Sequence, residues 1–328
     1  MLPLDQQVIV ITGASSGIGR ATAIAAAKRG ARLALAARGA EALATTLEEI
    51  EAVGARALVM PVDVSDVEQV RGLGRQTMDQ FGAIDTWVNN AGVALFAEFA
   101  RTTPEEFRRV IDVNLMGEVY GSLVALEHMR ERGGTIVNIA SVDAERAIPL
   151  QAAYSAAKAG VKAFSEALRV ELEHDGVPVQ VAVIKPASID TPLFQHAMTK
   201  LGVEPKPLPP VYDPNLVAET ILHAATHSTR DLYVGGAAAG LTAMEKTAPG
   251  LLDWELKQVA WAAQRTDTPK EPTAPNNLFH GEMGPGAIRG GWGGSGFSPY
   301  TWLELHPNVG RAALGLAVAG LALTRLRR

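Results

Sequence analysis

The chain has 328 residues, 47% of them apolar and 20% charged, enough to fill a large core and suited to one α/β domain carrying an appendage. A formal charge of −5 argues against a nucleic-acid surface, and the lack of cysteine excludes disulfides, thiolate catalysis and cysteine-ligated metal. The first ten residues run into a strand without a basic stretch, apolar run and cleavage site, so no signal peptide and a cytoplasmic location are expected.

Residues 7–12 (QVIVIT) are a short β-branched run that reads as a buried strand. The turn Gly13-Ala14-Ser15-Ser16-Gly17-Ile18-Gly19 follows, then a helix over 20–28 closed by Gly30. Strand, glycine-rich turn and helix N-terminus together make an anion site, because backbone N–H groups and the helix dipole face a phosphate that glycines allow close. The spacing is G-x-x-x-G-x-G rather than the general dinucleotide fingerprint G-x-G-x-x-G. Further strands are expected over 32–38, 55–62 (ending at Asp63), 84–88 (opening into Asn89-Asn90-Ala91-Gly92) and 135–140 (ending at Ser141). Helices are expected over 41–52 and 67–81, and a long one from the Thr103-Pro104-Glu105-Glu106 capping box to about residue 132. A helix over 152–174, a strand over 179–184, a helix over 216–226 and a last strand over 231–234 complete the alternation. Such alternation implies a parallel sheet covered by helices on both faces, with ligands beyond the carboxyl ends of the strands. Gly13, Arg38, Asp63, Asn90, Ser141 and Pro186 stand at those ends.

Tyr154 and Lys158 stand four apart, so on a helix they share one face. An ammonium beside a phenol favours the phenolate and lowers its pKa, which suits a proton donor and acceptor. Each residue has a plainer reading: the pair as a solvated helix face, Ser141 as a helix-entry residue, Asn114 as a core amide, Asp63 as an N-cap. Together with Thr12-Gly13-x-x-x-Gly17-Ile18-Gly19, Asn89-Asn90-Ala91-Gly92, Asn114 and a Ser141 thirteen residues before Tyr154, they resemble the short-chain dehydrogenase/reductase family over residues 4–235.

The resemblance implies a Rossmann-type doubly wound parallel sheet of about seven strands, over residues 1–240, with a C-terminal extension over 241–328. It implies an NAD(P)-dependent oxidoreductase acting on an alcohol or carbonyl. Tyr154 would be the general acid/base, Ser141 would polarise the carbonyl, and Lys158 would bind the nicotinamide ribose and depress the Tyr154 pKa. Asn114 would kink its helix and hold a water of the proton relay. The cofactor would lie on Gly13, Ser15, Ser16, Gly17, Ile18 and Gly19, with Asp63 and Val64 at the adenine, Asn90 and Ala91 at the ribose, and Ile189 and Thr191 at the carboxamide. A homo-oligomer is expected from the same resemblance. Where the family has Pro-Gly after the sixth strand, Pro186-Ala187 stands here, which puts the path of that loop in question. Asp143, Glu145 and Arg146 read as solvated.

At the end of the second strand stands Ala37-Arg38 with no carboxylate, which points to NADP over NAD, because a guanidinium fork suits a 2′-phosphate. The alternative is an arginine that caps the strand end. His223 and His227 read as surface histidines rather than a metal pair. The Pro-, Leu- and Met-rich stretch 192–214 reads as a substrate lid and favours a hydrophobic substrate. In the extension, Leu252, Leu256 and Val259 form an apolar stripe beside Trp254 and Trp261, while 266–275 and 281–296 read as irregular or flexible. The apolar run 312–323, followed by arginines, is too short to span a bilayer and reads as a docked or interfacial helix. A non-catalytic nucleotide-binding protein and a sugar-nucleotide epimerase or dehydratase are the rival readings.

Overall fold

The structure is a computed structural model that describes residues 1–281, 284–306 and 308–309. Seven strands form one parallel sheet: β1 (Val8–Thr12), β2 (Arg32–Ala37), β3 (Ala57–Pro61), β4 (Thr86–Asn89), β5 (Gly134–Ile139), β6 (Val179–Pro186) and β7 (Asp231–Val234). Their order is β7-β6-β5-β4-β1-β2-β3, which reverses between β1 and β4 and opens a crevice at their carboxyl ends. The helices are α1 (Gly17–Ala27), α2 (Ala40–Glu51), α3 (Val67–Phe81), α4 (Pro104–Ile111), α5 (Gly117–Met129), α6 (Ala152–His174), α7 (Pro214–Thr226), α8 (Gly236–Thr247), α9 (Pro249–Ala263) and α10 (Pro299–Leu305).

β1 is buried throughout because both faces of the sheet are covered. Ile9, Ile11, Leu33 and Leu35 face Ala23 and Ala26 of α1, Leu43 of α2 and Val217 of α7. Val10, Ala34 and Ala36 face Val70 and Leu73 of α3 and Val124 of α5. Burying each such aliphatic side chain contributes about 1.5–3 kcal/mol, so the sheet is held chiefly by these two layers.

The long helix expected from Thr103, with a kink at Asn114, is interrupted there. It begins at the capping box of Thr103 and Glu106, but α4 and α5 are separated by a π-helical turn at Asp112–Met116. That wider turn is held by Asn114, whose Oδ1 accepts from the Val93 N–H at 2.8 Å and whose Nδ2 donates to the Val93 carbonyl at 2.8 Å. Such bulges gather at functional sites.

Beyond β6 the chain is more ordered than its composition indicates. The 192–214 stretch contains a helical turn (Leu193–His196) and three short strands rather than one open loop. One of these, Val203–Pro205, pairs antiparallel with Arg265–Pro269, so the polar segment expected to be irregular opens as a strand. Ala187 donates its N–H to the Val234 carbonyl at 2.9 Å with φ outside the left-handed region, so glycine is not required there. On α9 the buried stripe is Leu252, Leu256 and Ala260, while Val259 is 46% exposed and Trp254 and Trp261 face outward. α10, which the sequence reading did not find, is capped by Ser298 and anchors β7 through Thr301 Oγ1, which accepts from the Gly235 N–H at 2.9 Å. The apolar run 312–323 lies outside the described residues. Among the described residues no helix is long and apolar enough to cross a membrane.

Candidate active site

The crevice between β1 and β4 is shaped by close backbone contact. Gly13 has φ +69°, and a Cβ there would stand 2.7 Å from the Ala91 Cα; at Gly19 it would stand 2.1 Å from the Gly13 carbonyl oxygen. No side chain fits, so α1 begins directly on the strand end, where its first N–H, that of Gly17, donates to the Ala287 carbonyl at 2.9 Å. Asn90 locks the two strand ends together, its Nδ2 donating to the Thr12 and Gly13 carbonyls at 2.9 and 3.2 Å.

A cavity of about 490 Å³ lies over this crevice. Of the residues expected to hold a dinucleotide, Gly13, Ser15, Ser16, Gly17, Ile18, Arg38, Asp63, Val64, Asn90, Ala91, Ile189 and Thr191 line it. Ser141, Tyr154 and Lys158 line it too, whereas Gly19 and Asn114 stand behind the wall. A diphosphate suits this wall, because a helix N-terminus and a turn free of Cβ atoms offer backbone N–H groups to it.

Ser141 follows β5, and Tyr154 and Lys158 stand on the first turns of α6. Leu150, in the left-handed conformation at φ 72°, turns the chain into α6, a local strain of the kind held at functional sites. The Lys158 ammonium donates to the Ile139 carbonyl at 2.6 Å and to Glu118 Oε1 at 2.9 Å, and its Nζ lies 5.8 Å from the Tyr154 ring centre. Burial pushes Glu118 up to about 7 against the pull of Lys158. Burial likewise pushes Asp143 up to about 7, although Ser141 and Ser155 hydrogen-bond to it. Burial, then the charge of Asp143, raises the Tyr154 phenol above its ordinary value; a hydrogen bond from Ser141 offsets part of this and Glu118 adds to it. The depression of Tyr154 expected from Lys158 is therefore not what this arrangement gives, because burial, with the carboxylates of Asp143 and Glu118, disfavours the phenolate.

Asp143, Glu145 and Arg146, expected to be solvated, are engaged. Asp143 is 8% exposed and accepts from Ser141 Oγ at 3.3 Å. Glu145 accepts from Lys185 at 2.7 Å and from the Tyr233 hydroxyl at 3.1 Å. Arg146 pairs with Glu245 and Asp253 of the extension. Beyond the end of β3, burial opposes ionisation of Asp63, but Arg109 (2.6 Å) and Ser65 hold its carboxyl below the usual range. Arg38 donates to the Asn277 and Leu278 carbonyls. His223 and His227 stack 4.1 Å apart, and among the described residues no group of three or more possible ligands could hold a metal.

Glu118, Asp143 and the wall of the far end were not identified from sequence. That wall comprises Ile148, Leu208, Leu241 and Met244 with Leu252 and Leu256, an apolar cluster that α8 and α9 carry to the mouth of the site. A carboxylate one helical turn after Asn114 and another two residues after Ser141 were the available signals.

The description "short chain dehydrogenase" matches residues 7–202. The chain belongs to the short-chain dehydrogenase/reductase family. It is an NAD(P)-dependent oxidoreductase of that family. YxnA of Bacillus subtilis, named an uncharacterized oxidoreductase, is 36% identical over 329 residues, covering 99% of this chain and 92% of that protein, so the likeness runs through the extension. The oxidoreductase SadH of Mycobacterium tuberculosis is 33% identical over 243 residues, covering 72% of this chain and 88% of its own. Among solved structures, a short-chain dehydrogenase/reductase of Burkholderia phymatum with NAD is 27% identical with TM-score 0.69, covering 77% of this chain and 97% of that one. An alcohol dehydrogenase of Thermococcus sibiricus with 5-hydroxy-NADP is 27% identical with TM-score 0.62, covering 70% of this chain and 95% of that one.

Proposed function

We propose that this short-chain reductase interconverts a hydrophobic alcohol and its carbonyl compound with NADP, using Ser141, Tyr154, Lys158 and Asn114. The observation that carries the reading is a single cavity with the glycine turn and Arg38 at one end, an apolar wall at the other, and Tyr154 and Ser141 between them. Residues 1–240 are read as the nucleotide-binding catalytic unit, and the extension from 241 as the closure of its substrate end.

The bound dinucleotide supplies or accepts hydride at the substrate carbon. The protein's part is placement and proton handling. The Ser141 hydroxyl, which donates to Asp143 in this structure, turns to donate to the carbonyl oxygen and fixes its direction. The Tyr154 phenol, raised by burial, stays protonated at neutral pH and gives its proton to that oxygen as negative charge develops there. Lys158, held from behind by Glu118 and the Ile139 carbonyl, presents its remaining N–H to the site. Asn114 fixes the bulge between α4 and α5 and so the wall at Val93.

Arg38 supports NADP because no carboxylate ends β2 to repel a 2′-phosphate. Its guanidinium lines the cavity while carbonyls of Asn277 and Leu278 orient it. A panel of carbonyl compounds followed by NADPH absorbance tests the function. NADPH is expected to exceed NADH by at least ~10-fold in kcat/KM, with Arg38→Ala erasing most of that gap. A wild-type preference for NADH, or an unchanged ratio in the variant, would contradict the assignment.

A further inference from the structure

The described residues 277–281 and 284–294 do not hang free; they lie along the cofactor cleft. At the adenosine end, the Asn277 and Leu278 carbonyls accept from Arg38, and Leu278 also accepts from Arg109 Nε at 2.9 Å. Leu278 is fully buried in the core layer beneath. At the glycine turn, the Ala287 carbonyl accepts from the Gly17 N–H at 2.9 Å and the Pro285 carbonyl from Arg20 at 2.7 Å. At the nicotinamide end, Asp190 is 2% exposed and its carboxylate accepts from three backbone groups of the segment: Trp292 N–H at 2.8 Å, Gly290 N–H at 3.0 Å and Gly294 N–H at 3.3 Å. Arg289 adds an ion pair with Asp213 at 2.7 Å. The glycines serve contact rather than looseness: a Cβ at Gly290 would stand 2.4 Å from the Thr191 carbonyl oxygen.

We infer that Asp190 clasps this segment as a strap over the dinucleotide, so that the strap completes the cofactor site and must lift for the nucleotide to enter or leave. The inference rests on the cofactor reading above. Asp190 lies between Ile189 and Thr191, which both line the cavity, so the clasp couples the strap to the nicotinamide end. Three N–H groups on one carboxylate form the strongest single attachment of the strap, because each is a charge-assisted hydrogen bond sheltered from water. Asp190 is a positioning residue: it acts through the strap.

The test uses the full-length protein and the fluorescence of NADPH chased by excess NADP⁺. Asp190→Ala should speed NADPH release by at least ~10-fold, since three charge-assisted bonds are lost. Arg289→Ala, which removes a half-exposed partner, should speed it by roughly 3-fold. Hydrogen exchange at the Gly290 and Trp292 amides should also quicken in Asp190→Ala, which a general loss of stability would not confine to the strap. If Asp190→Ala does not melt as a folded protein, Arg289→Ala decides alone. Unchanged release from the folded variants overturns the strap while leaving the cofactor assignment standing, whereas failure of wild-type protein to bind NADPH overturns both.

Discussion

The two ends of the cavity are built on different principles. The nucleotide end is assembled where consecutive strands stop, so each contributor follows a local strand signal and is fixed by backbone contact, as Gly13 is against Ala91. The substrate end is assembled from Ile148, Leu208, Leu241, Met244, Leu252 and Leu256, which lie in four separate stretches and meet only through packing. One end tolerates almost no added atom; the other is a side-chain surface that can be reshaped. The contrast explains how one nucleotide fold can serve many substrates.

The contrast breaks most visibly at Gly19. Gly19→Ala places a methyl 2.1 Å from the Gly13 carbonyl oxygen, which a backbone cannot yield. NADPH affinity, measured by titration, is expected to fall by at least ~100-fold, with a lower melting temperature. Retained affinity would mean that the turn is not the phosphate site.

At the opposite end, Leu252→Ala should cost about 2–5 kcal/mol of stability by leaving a cavity in the cluster around Leu256 and Ile148. In the folded variant, KM for a bulky carbonyl substrate should rise while the NADPH dissociation constant stays in place. A shift in cofactor binding instead would show that the two ends are not separable.

The smallest effect probes the seam between them. Glu118 is among the groups that raise Tyr154, so Glu118→Gln should lower the phenol pKa. Alcohol oxidation needs the phenolate, and its rising limb should therefore move to lower pH. The groups facing this pair are Lys158, Asp143 and Ser141. An unmoved profile with a uniformly lower rate would assign Glu118 to packing alone.

Legibility followed the same division. The strand positions of the parallel sheet, the glycine turn, the Thr103 capping box and the Tyr154–Lys158 pair on one helix face were readable because period, spacing and caps are local. The kink at Asn114 followed from the family resemblance, but its form as a π-turn held by Val93 did not, because that bond runs across the fold. The stretch 281–296 has the composition of a flexible linker, yet residues 284–294 follow the cleft because Gly286, Gly290 and Gly294 allow backbone to lie on backbone. Arg265–Pro269 read as irregular since its strand partner, Val203–Pro205, is distant in sequence. The Tyr154 phenol was expected to be lowered, and burial with the nearby carboxylates of Asp143 and Glu118, which depends on packing rather than on the Tyr-Lys spacing, reverses the sign.

The claim on which both ends depend is that Tyr154, between them, exchanges its proton with the substrate oxygen. Single-turnover reduction of a carbonyl substrate by NADPH, compared in wild type and Tyr154→Phe, measures it most directly. The ring is retained and the donor removed, so the rate of the chemical step should fall by at least ~100-fold while NADPH binds with its original affinity. A single-turnover rate close to that of wild type would contradict it.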